Sequence, residues 1–305
     1  MLFVDILCKT AEQPLVYEDS DLLDYALTQM PLEQLYAEAE AASEQDTEWG
    51  TQDHLIRAML KWFKKDFFVW VGSDPPCPQC RTKTRGIGNG ELTPEDRANG
   101  ARVVELFSCP ACNHVHRFPR YNSPRKLMTT RKGRCGEWAN CFTMLCRALG
   151  SRARYVWIKE DHVSTEVYSF AQKRWVHVDA CEAAWDNPTI YQTGWGKKMS
   201  YVIAFSVEGA ADVTPRYVRP GRPSNPRNLI SEQELAMTLR SITESLRDTC
   251  SASEIAELKI EDEQEQREFA AYTDGRERPT ATQEQLPRQS GNAEWVVSRG
   301  EDGTS

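Results

Sequence analysis

Hydrophobic and polar positions change period several times along the chain, and each change marks an element. Between residues 20 and 45, Leu22, Leu23, Tyr25, Ala26, Leu27, Met30, Leu32, Leu35 and Tyr36 recur at helical spacing in an acidic background. Pro31 breaks this run where a second helix would begin. Thr51 opens another helix, whose stripe Leu55, Met59, Trp62, Phe63 and Phe67 belongs against a core rather than in a site. Residues 72–118 lose this periodicity and are rich in Pro, Cys and Gly, which predicts loops held by something other than apolar packing. Helical spacing returns over 134–149, with Trp138, Phe142, Leu145 and Leu149 on one face and Gly150 closing the end. Strand patterns follow over 153–157, 163–168, 175–178 and 201–207, and 229–246 reads as a further helix. From Glu261 onward charge dominates and apolar residues thin out, the composition of a disordered tail. Helices followed by adjacent strands place the chain in the α+β class. Three units are expected: an N-terminal helical segment over 1–50, a core over 51–250 that includes the irregular stretch 72–118, and a charged tail over 251–305.

Composition narrows the function classes. The 305 residues leave ample length for a core. A net charge of −8, from 37 basic and 45 acidic residues, argues against nonspecific binding to nucleic acid or a membrane surface. No apolar run is long enough to span a bilayer, and the N-terminus carries Asp5 and lacks the basic start of a signal peptide. Ten cysteines are sparse at this length, and four of them fall in two CxxC pairs. A reducing compartment, cytosolic or nuclear, is expected.

The pairs are Cys77-Pro78-Gln79-Cys80 and Cys109-Pro110-Ala111-Cys112. Each CxxC turn can aim two thiolates at one ion, and two turns complete a tetrahedral all-sulfur site for structural zinc. Such a site has no open coordination position and is not catalytic. A redox pair would be single and would sit at a helix start, whereas these lie in loop-like surroundings. His114 and His116 are alternative ligands, though four thiolates suffice.

A second constellation is Cys135, framed by Gly133 and Gly136 at the start of a helix, with His162 and Asp179 following on successive strands. A helix N-terminus favours thiolate. A hairpin in which Tyr168 faces Lys173 and Glu166 faces Trp175 would set His162 opposite Asp179, with side chains on one face about 5 Å apart. The aspartate would then fix the imidazole tautomer. No local argument joins Cys135 to His162. Taken singly, the three read as a buried thiol, a strand histidine and a turn former; together they have the order of a thiol-based acyl-transfer triad. Cys141, Cys146 and Cys181 read as packing residues. A transamidase, a protease, or a protein-binding scaffold with a weak site remain alternatives.

At Gly133-Arg134-Cys135-Gly136-Glu137-Trp138-Ala139-Asn140-Cys141-Phe142, Asp161-His162-Val163, Trp175-Val176-His177-Val178-Asp179-Ala180-Cys181-Glu182 and Gly194-Trp195-Gly196-Lys197-Lys198-Met199-Ser200-Tyr201, the sequence resembles the cytosolic peptide:N-glycanases of fungal type over about residues 50–245. The resemblance implies a transglutaminase-like, papain-type core with a zinc-ribbon-like insertion. It also implies removal of N-glycans from misfolded glycoproteins exported from the endoplasmic reticulum into the cytoplasm. Carried over by position, Cys135 is the nucleophile, His162 the base and acid, and Asp179 its orienting partner. Arg154, Glu166 and Trp175 match positions that support the cleft, and Glu182, Trp195 and Trp70 match positions that bind the chitobiose core. Trp175 and Trp195 also read as core aromatics. The family carries an aromatic two residues after the histidine, where this chain has Ser164. Fungal members use an N-terminal helix to bind a ubiquitin-receptor shuttle protein of the proteasome, a role the segment 20–45 could fill.

Overall fold

The computed structural model describes residues 2–274, 286–291, 293–299 and 301–303. Four helices come first: α1 (Phe3–Ala11), α2 (Ser20–Thr28), α3 (Leu32–Ser43) and α4 (Thr51–Trp62), the last running on through a wide turn at Phe63–Phe67. Strand β1 (Val69–Trp70) leads into an insertion made of β2 (Arg85–Asn89), α5 (Pro94–Ala98), β3 (Val104–Ser108) and β4 (Val115–Pro119). After α6 (Pro124–Thr130), β5 (Lys132–Gly133) pairs in parallel with β1 and delivers the chain into α7 (Cys135–Ala148). The main sheet follows, with β6 (Ala153–Ile158), β7 (His162–Ser169), β8 (Arg174–Asp179), β9 (Ala184–Trp185), β10 (Val202–Ser206) and β11 (Gly209–Asp212). Its order is β11-β10-β6-β7-β8-β9, antiparallel throughout. Helices α8 (Thr214–Tyr217), α9 (Glu232–Arg247), α10 (Ala252–Thr273) and α11 (Ala293–Ser298) complete it.

Alternation along the strands divides the sheet into two faces. Val167, Val176 and Val178 turn toward α7 and join Phe142 and Leu145 in the main core, and Thr165 meets Thr143 of α7 hydroxyl to hydroxyl at 2.8 Å. On the other face Val156 and Ile158 pack with Tyr191, Trp195, Tyr217 and Phe269. Helix α7 is buried from Glu137 through Cys146, so its first residue is held on a rigid element. The expected apolar stripe of α4 does face the core: Leu55, Met59, Phe63 and Phe67 are buried, and Trp62 packs against them.

Three expectations need correction. The segment 1–50 is not a separate unit. Tyr17, Leu22, Ala26 and Leu35 belong to the same core as α7, and the Tyr17 hydroxyl donates to Asn140 of that helix at 3.0 Å.

The tail 251–305 is not disordered over the described residues. Helix α10 starts with a Ser251 cap, and its charges are the means of attachment. Glu265 accepts from Arg154 at 2.7 and 3.0 Å and from Arg216 at 2.8 Å, Arg152 bridges Glu208 and Glu261, and Arg247 grips Asp262. Composition reads such residues as solvated because their partners are distant in sequence. The described residues between 286 and 303 also return to the body, while residues 275–285, 292, 300, 304 and 305 of the expected tail lie outside the described residues.

The hairpin register is shifted by two: Tyr168 faces Trp175 and Glu166 faces His177. An even shift keeps every side chain on its face, so His162 and Asp179 become diagonal neighbours instead of direct ones.

Candidate active site and metal centre

The nucleophile's position is set by its neighbours. A Cβ on Gly133 would come within 2.2 Å of the Glu137 Cβ, so only glycine allows that approach. Glu137 is buried and accepts from the Arg134 backbone N–H at 2.9 Å and from Arg120 at 2.6 and 3.0 Å, which closes the first turn of α7. Arg134, immediately before Cys135, makes a two-pronged pair with Glu105 of β3 at 2.8 and 2.6 Å and donates to the Val71 carbonyl. The insertion therefore buttresses the start of α7. Cys135 is partly exposed, at the end of the helix whose dipole favours an anion, and Gly136 beside it faces open space.

His162 Nε2 lies 2.7 Å from Asp179 Oδ2. The other ring nitrogen, Nδ1, is buried without a hydrogen-bond partner and is the one left to serve Cys135, whose thiol feels the imidazole across the gap between helix and sheet. Burial pushes the Cys135 thiol up, but the neighbouring His162 imidazole, together with the Arg288 guanidinium, outweighs it and holds the thiol below its ordinary value. Burial pulls His162 down, and Asp179 reverses this, so the imidazole is raised. Burial would raise Asp179, yet the charge of His162 and the Tyr191 hydroxyl hold it well below the carboxylate range. A lowered thiol beside a raised imidazole favours a thiolate–imidazolium pair.

Two members of this network had not been singled out from the sequence. The Tyr191 hydroxyl donates to Asp179 Oδ2 at 2.8 Å, and His177 Nε2 lies 2.7 Å from the same hydroxyl. Tyr191 has one proton and gives it to the carboxylate, so His177 is the donor to Tyr191, and burial keeps it neutral by lowering its pKa to about 3. Asp179 Oδ1 accepts the backbone N–H groups of Cys181 at 2.8 Å and Glu182 at 3.3 Å. Strand alternation puts His177 on the face of Asp179 and could have revealed it. Tyr191 lies in the wide turn Ile190–Gly194, which has no comparable signal.

The remaining sites divide into two groups. Glu182, Trp195 and Trp70 gather around the triad. The Trp195 ring is 5.0 Å from His162 and wholly buried, and Trp70 pairs with Gly133 through the backbone. Glu182 accepts the backbone N–H groups of Gln289 and Ser290 at 2.7 and 3.0 Å. Arg154 and Trp175 line a cavity between the sheet, α9 and α10 that contains none of the triad residues, and Glu166 is buried beside Arg154. Arg154 lies 3.8 Å over the Trp175 ring, and Glu166 accepts from Arg216 and the Tyr217 hydroxyl. These residues tie the sheet to α8 and α10 behind the triad. Ser164 is also buried there, facing the Tyr191 and Tyr217 hydroxyls. Cys141, Cys146 and Cys181 are buried packing residues.

The four expected metal ligands converge. The Cys77, Cys80, Cys109 and Cys112 sulfurs lie within 4.8 Å of one another, with separations of 3.4–3.6 Å between neighbours. A tetrahedron with metal–sulfur bonds of 2.3 Å has edges of about 3.8 Å, so the set fits one four-coordinate ion. The two knuckles share a backbone design. Arg81 and Asn113 each follow the second cysteine in the left-handed region and donate to the first cysteine's carbonyl at 2.9 Å.

Comparison with known proteins gives this geometry a family. The transglutaminase-like superfamily matches residues 82–180, and the Rad4 transglutaminase-like domain matches residues 150–270. The peptide-N(4)-(N-acetyl-beta-glucosaminyl)asparagine amidase of Yarrowia lipolytica is 48% identical over 296 residues, covering 95% of this chain and 82% of that one. The chain belongs to this amidase family. The amidases of Arabidopsis thaliana and Mus musculus are 40% and 41% identical; the chain is covered to 96% and 94%, but it spans only 41% and 44% of those proteins. Among solved structures, Rad4-Rad23 bound to a 6-4 photoproduct UV lesion aligns with a TM-score of 0.52 at 12% identity, covering 93% of this chain and 60% of that chain. That likeness places the amidase fold beside the Rad4 fold and carries nothing about ligands.

Proposed function

We propose that the chain hydrolyses the amide joining an N-acetylglucosamine to an asparagine side chain, with Cys135, His162 and Asp179 as its catalytic triad. The observation that carries the reading is the 2.7 Å pair of His162 with Asp179 beside a cysteine that opens α7. The Cys135 thiolate attacks the side-chain carbonyl carbon and forms a C–S bond. Backbone N–H groups of the first turn of α7 receive the oxyanion. Imidazolium His162 protonates the departing nitrogen as the C–N bond breaks, which releases the glycosylamine and leaves a thioester. Neutral His162 then takes a proton from water, whose oxygen attacks the thioester. Collapse expels the thiolate and leaves aspartate in place of asparagine. Tyr191 and the Cys181 and Glu182 N–H groups keep Asp179 ionised and aimed at His162 throughout.

Glu182 and the part-exposed Trp70 supply a carboxylate and an aromatic surface of the kind that bind a chitobiose core, with the buried Trp195 packed edge-on against His162. The four thiolates would hold one zinc ion, which would fix the insertion against α7. The substrates are misfolded N-glycoproteins met in the cytoplasm after export from the endoplasmic reticulum. A ubiquitin-receptor shuttle of the proteasome is the partner proposed for the N-terminal helices.

The test is glycan release from a denatured glycoprotein. Wild-type protein should convert glycosylated asparagine to aspartate without cutting or cross-linking the polypeptide, which separates an amidase from a protease or transamidase. Cys135→Ala should abolish release while retaining metal. Release at the wild-type rate by that variant would remove Cys135 from the mechanism.

A further inference from the structure

The described residues between 286 and 303 bring one guanidinium back to the triad. The Arg288 side chain is closed off from solvent and lies 4.5 Å from the Trp195 ring and 5.6 Å from the Trp70 ring. Trp195 is edge-on to His162, whereas Trp70 pairs with Gly133, two residues before Cys135. Arg288 is thus bracketed between the wall that carries the base and the wall that carries the nucleophile. It is fixed there by Glu301 at 2.5 Å and by the Ser290 hydroxyl at 3.0 Å. Glu301 also holds Lys197 and Arg299, and Glu182 holds the backbone at 289 and 290. Separating a buried, multiply paired cluster is costly, so this segment is a standing wall of the site. Arg299 also reaches Asp161. Glu301 thus gathers Arg288, Lys197 and Arg299 around one carboxylate.

We propose that Arg288 is a positioning residue for the amidase reaction, its fixed charge holding the Cys135 sulfur as thiolate. This rests on the assignment of Cys135 as nucleophile. Other groups face the sulfur from each neighbouring element. His162 of β7 and Arg120, which precedes α6, add positive charge, and Asp161 in the turn before β7 opposes it. Tyr155 of β6 and Cys181 after β8 are kept neutral by burial. Arg120 is already neutralised by Glu137 and Glu105, so the charge that Arg288 contributes is not duplicated.

The pH dependence of Cys135 alkylation by iodoacetamide tests this. It is followed in the full chain by mass spectrometry of the Cys135 peptide, for wild type, Arg288→Met and Arg288→Lys. The methionine variant removes the charge and keeps an unbranched stem. It should raise the alkylation midpoint by about one pH unit, which is about tenfold slower alkylation below the midpoint. The lysine variant should stay within about a third of a unit of wild type. An unmoved midpoint in Arg288→Met, or equal shifts in both variants, would make Arg288 a packing residue and end the proposal. Wild-type glycan release measured in parallel separates the two failures. Absent release with a charge-dependent midpoint refutes the amidase reading alone, and normal release with an unmoved midpoint refutes Arg288 alone.

Discussion

Replacing Glu265 with glutamine tests whether α10 is an integral part of the fold. Glu265 is buried and accepts three hydrogen bonds from Arg154 and Arg216, which are themselves buried. Glutamine keeps the shape but removes the charge that both guanidiniums face. Removing one partner of a buried ion pair costs about 3–5 kcal/mol. The carboxyl's own titration gives a second figure. Burial pushes it up, yet Arg154 and Arg216 bring it from 4.5 down to about 2, and that difference at 1.36 kcal/mol per unit is about 3 kcal/mol. For a domain of this size, about 3 kcal/mol lowers Tm by roughly 6–9 °C. A carboxyl lowered in the folded state stabilises fully above its unfolded value and loses that contribution as pH falls through the folded one. The deficit of Glu265→Gln should therefore be complete at pH 7 and shrink between pH 4.5 and about 2. Thermal melts followed by far-UV circular dichroism across that range measure both quantities. A Tm at pH 7 within about 1 °C of wild type would refute the reasoning and return α10 to the status of a loose appendage.

Tyr191→Phe removes one donor to Asp179 and leaves His177 Nε2 without its hydroxyl; kcat/KM for glycan release should fall about tenfold, a loss of about 1–2 kcal/mol. Asp179→Asn removes the charge that raises His162, so the alkaline limb of the pH–rate profile should move to lower pH and kcat should drop about a thousandfold or more. Cys109→Ser should reduce bound zinc below one ion per chain by elemental analysis. Glycan release should fall with it, because β3 would no longer hold Glu105 against Arg134. Gly133→Ala forces a new Cβ onto Glu137 and should cost about 2–4 kcal/mol in a denaturant melt.

The sequence made the chemistry of the site more legible than its supports. Cys77, Cys80, Cys109 and Cys112 were readable because metal ligation demands a local spacing. The stripe of α4 and the buried face of α7 were readable because helical periodicity is local as well. His162 and Asp179 fell on the same face by alternation, a reading that survives a two-residue error in register. The error itself has a physical origin: several four-residue loops are possible at this turn, and side-chain packing chose Ser169 opposite Arg174. Arg216 and Arg288 were invisible because they reach the network from segments distant in sequence, and Tyr191 because its wide turn carries no periodic pattern. Helix α10 was misjudged because a charged residue that will be paired has the same composition as one that will be solvated.

The buried pairing of Arg154 and Arg216 with Glu265 also has a consequence in time. The ribosome completes Cys135, His162 and Asp179 long before it reaches residue 265. A chain interrupted in that interval carries every triad residue, yet two guanidiniums within the sheet and α8 have only Glu166 between them and still lack the second carboxylate. Folding of the catalytic sheet is therefore coupled to a late event in synthesis. Fragments truncated before α10 should be cleared as misfolded chains rather than accumulate as active enzyme.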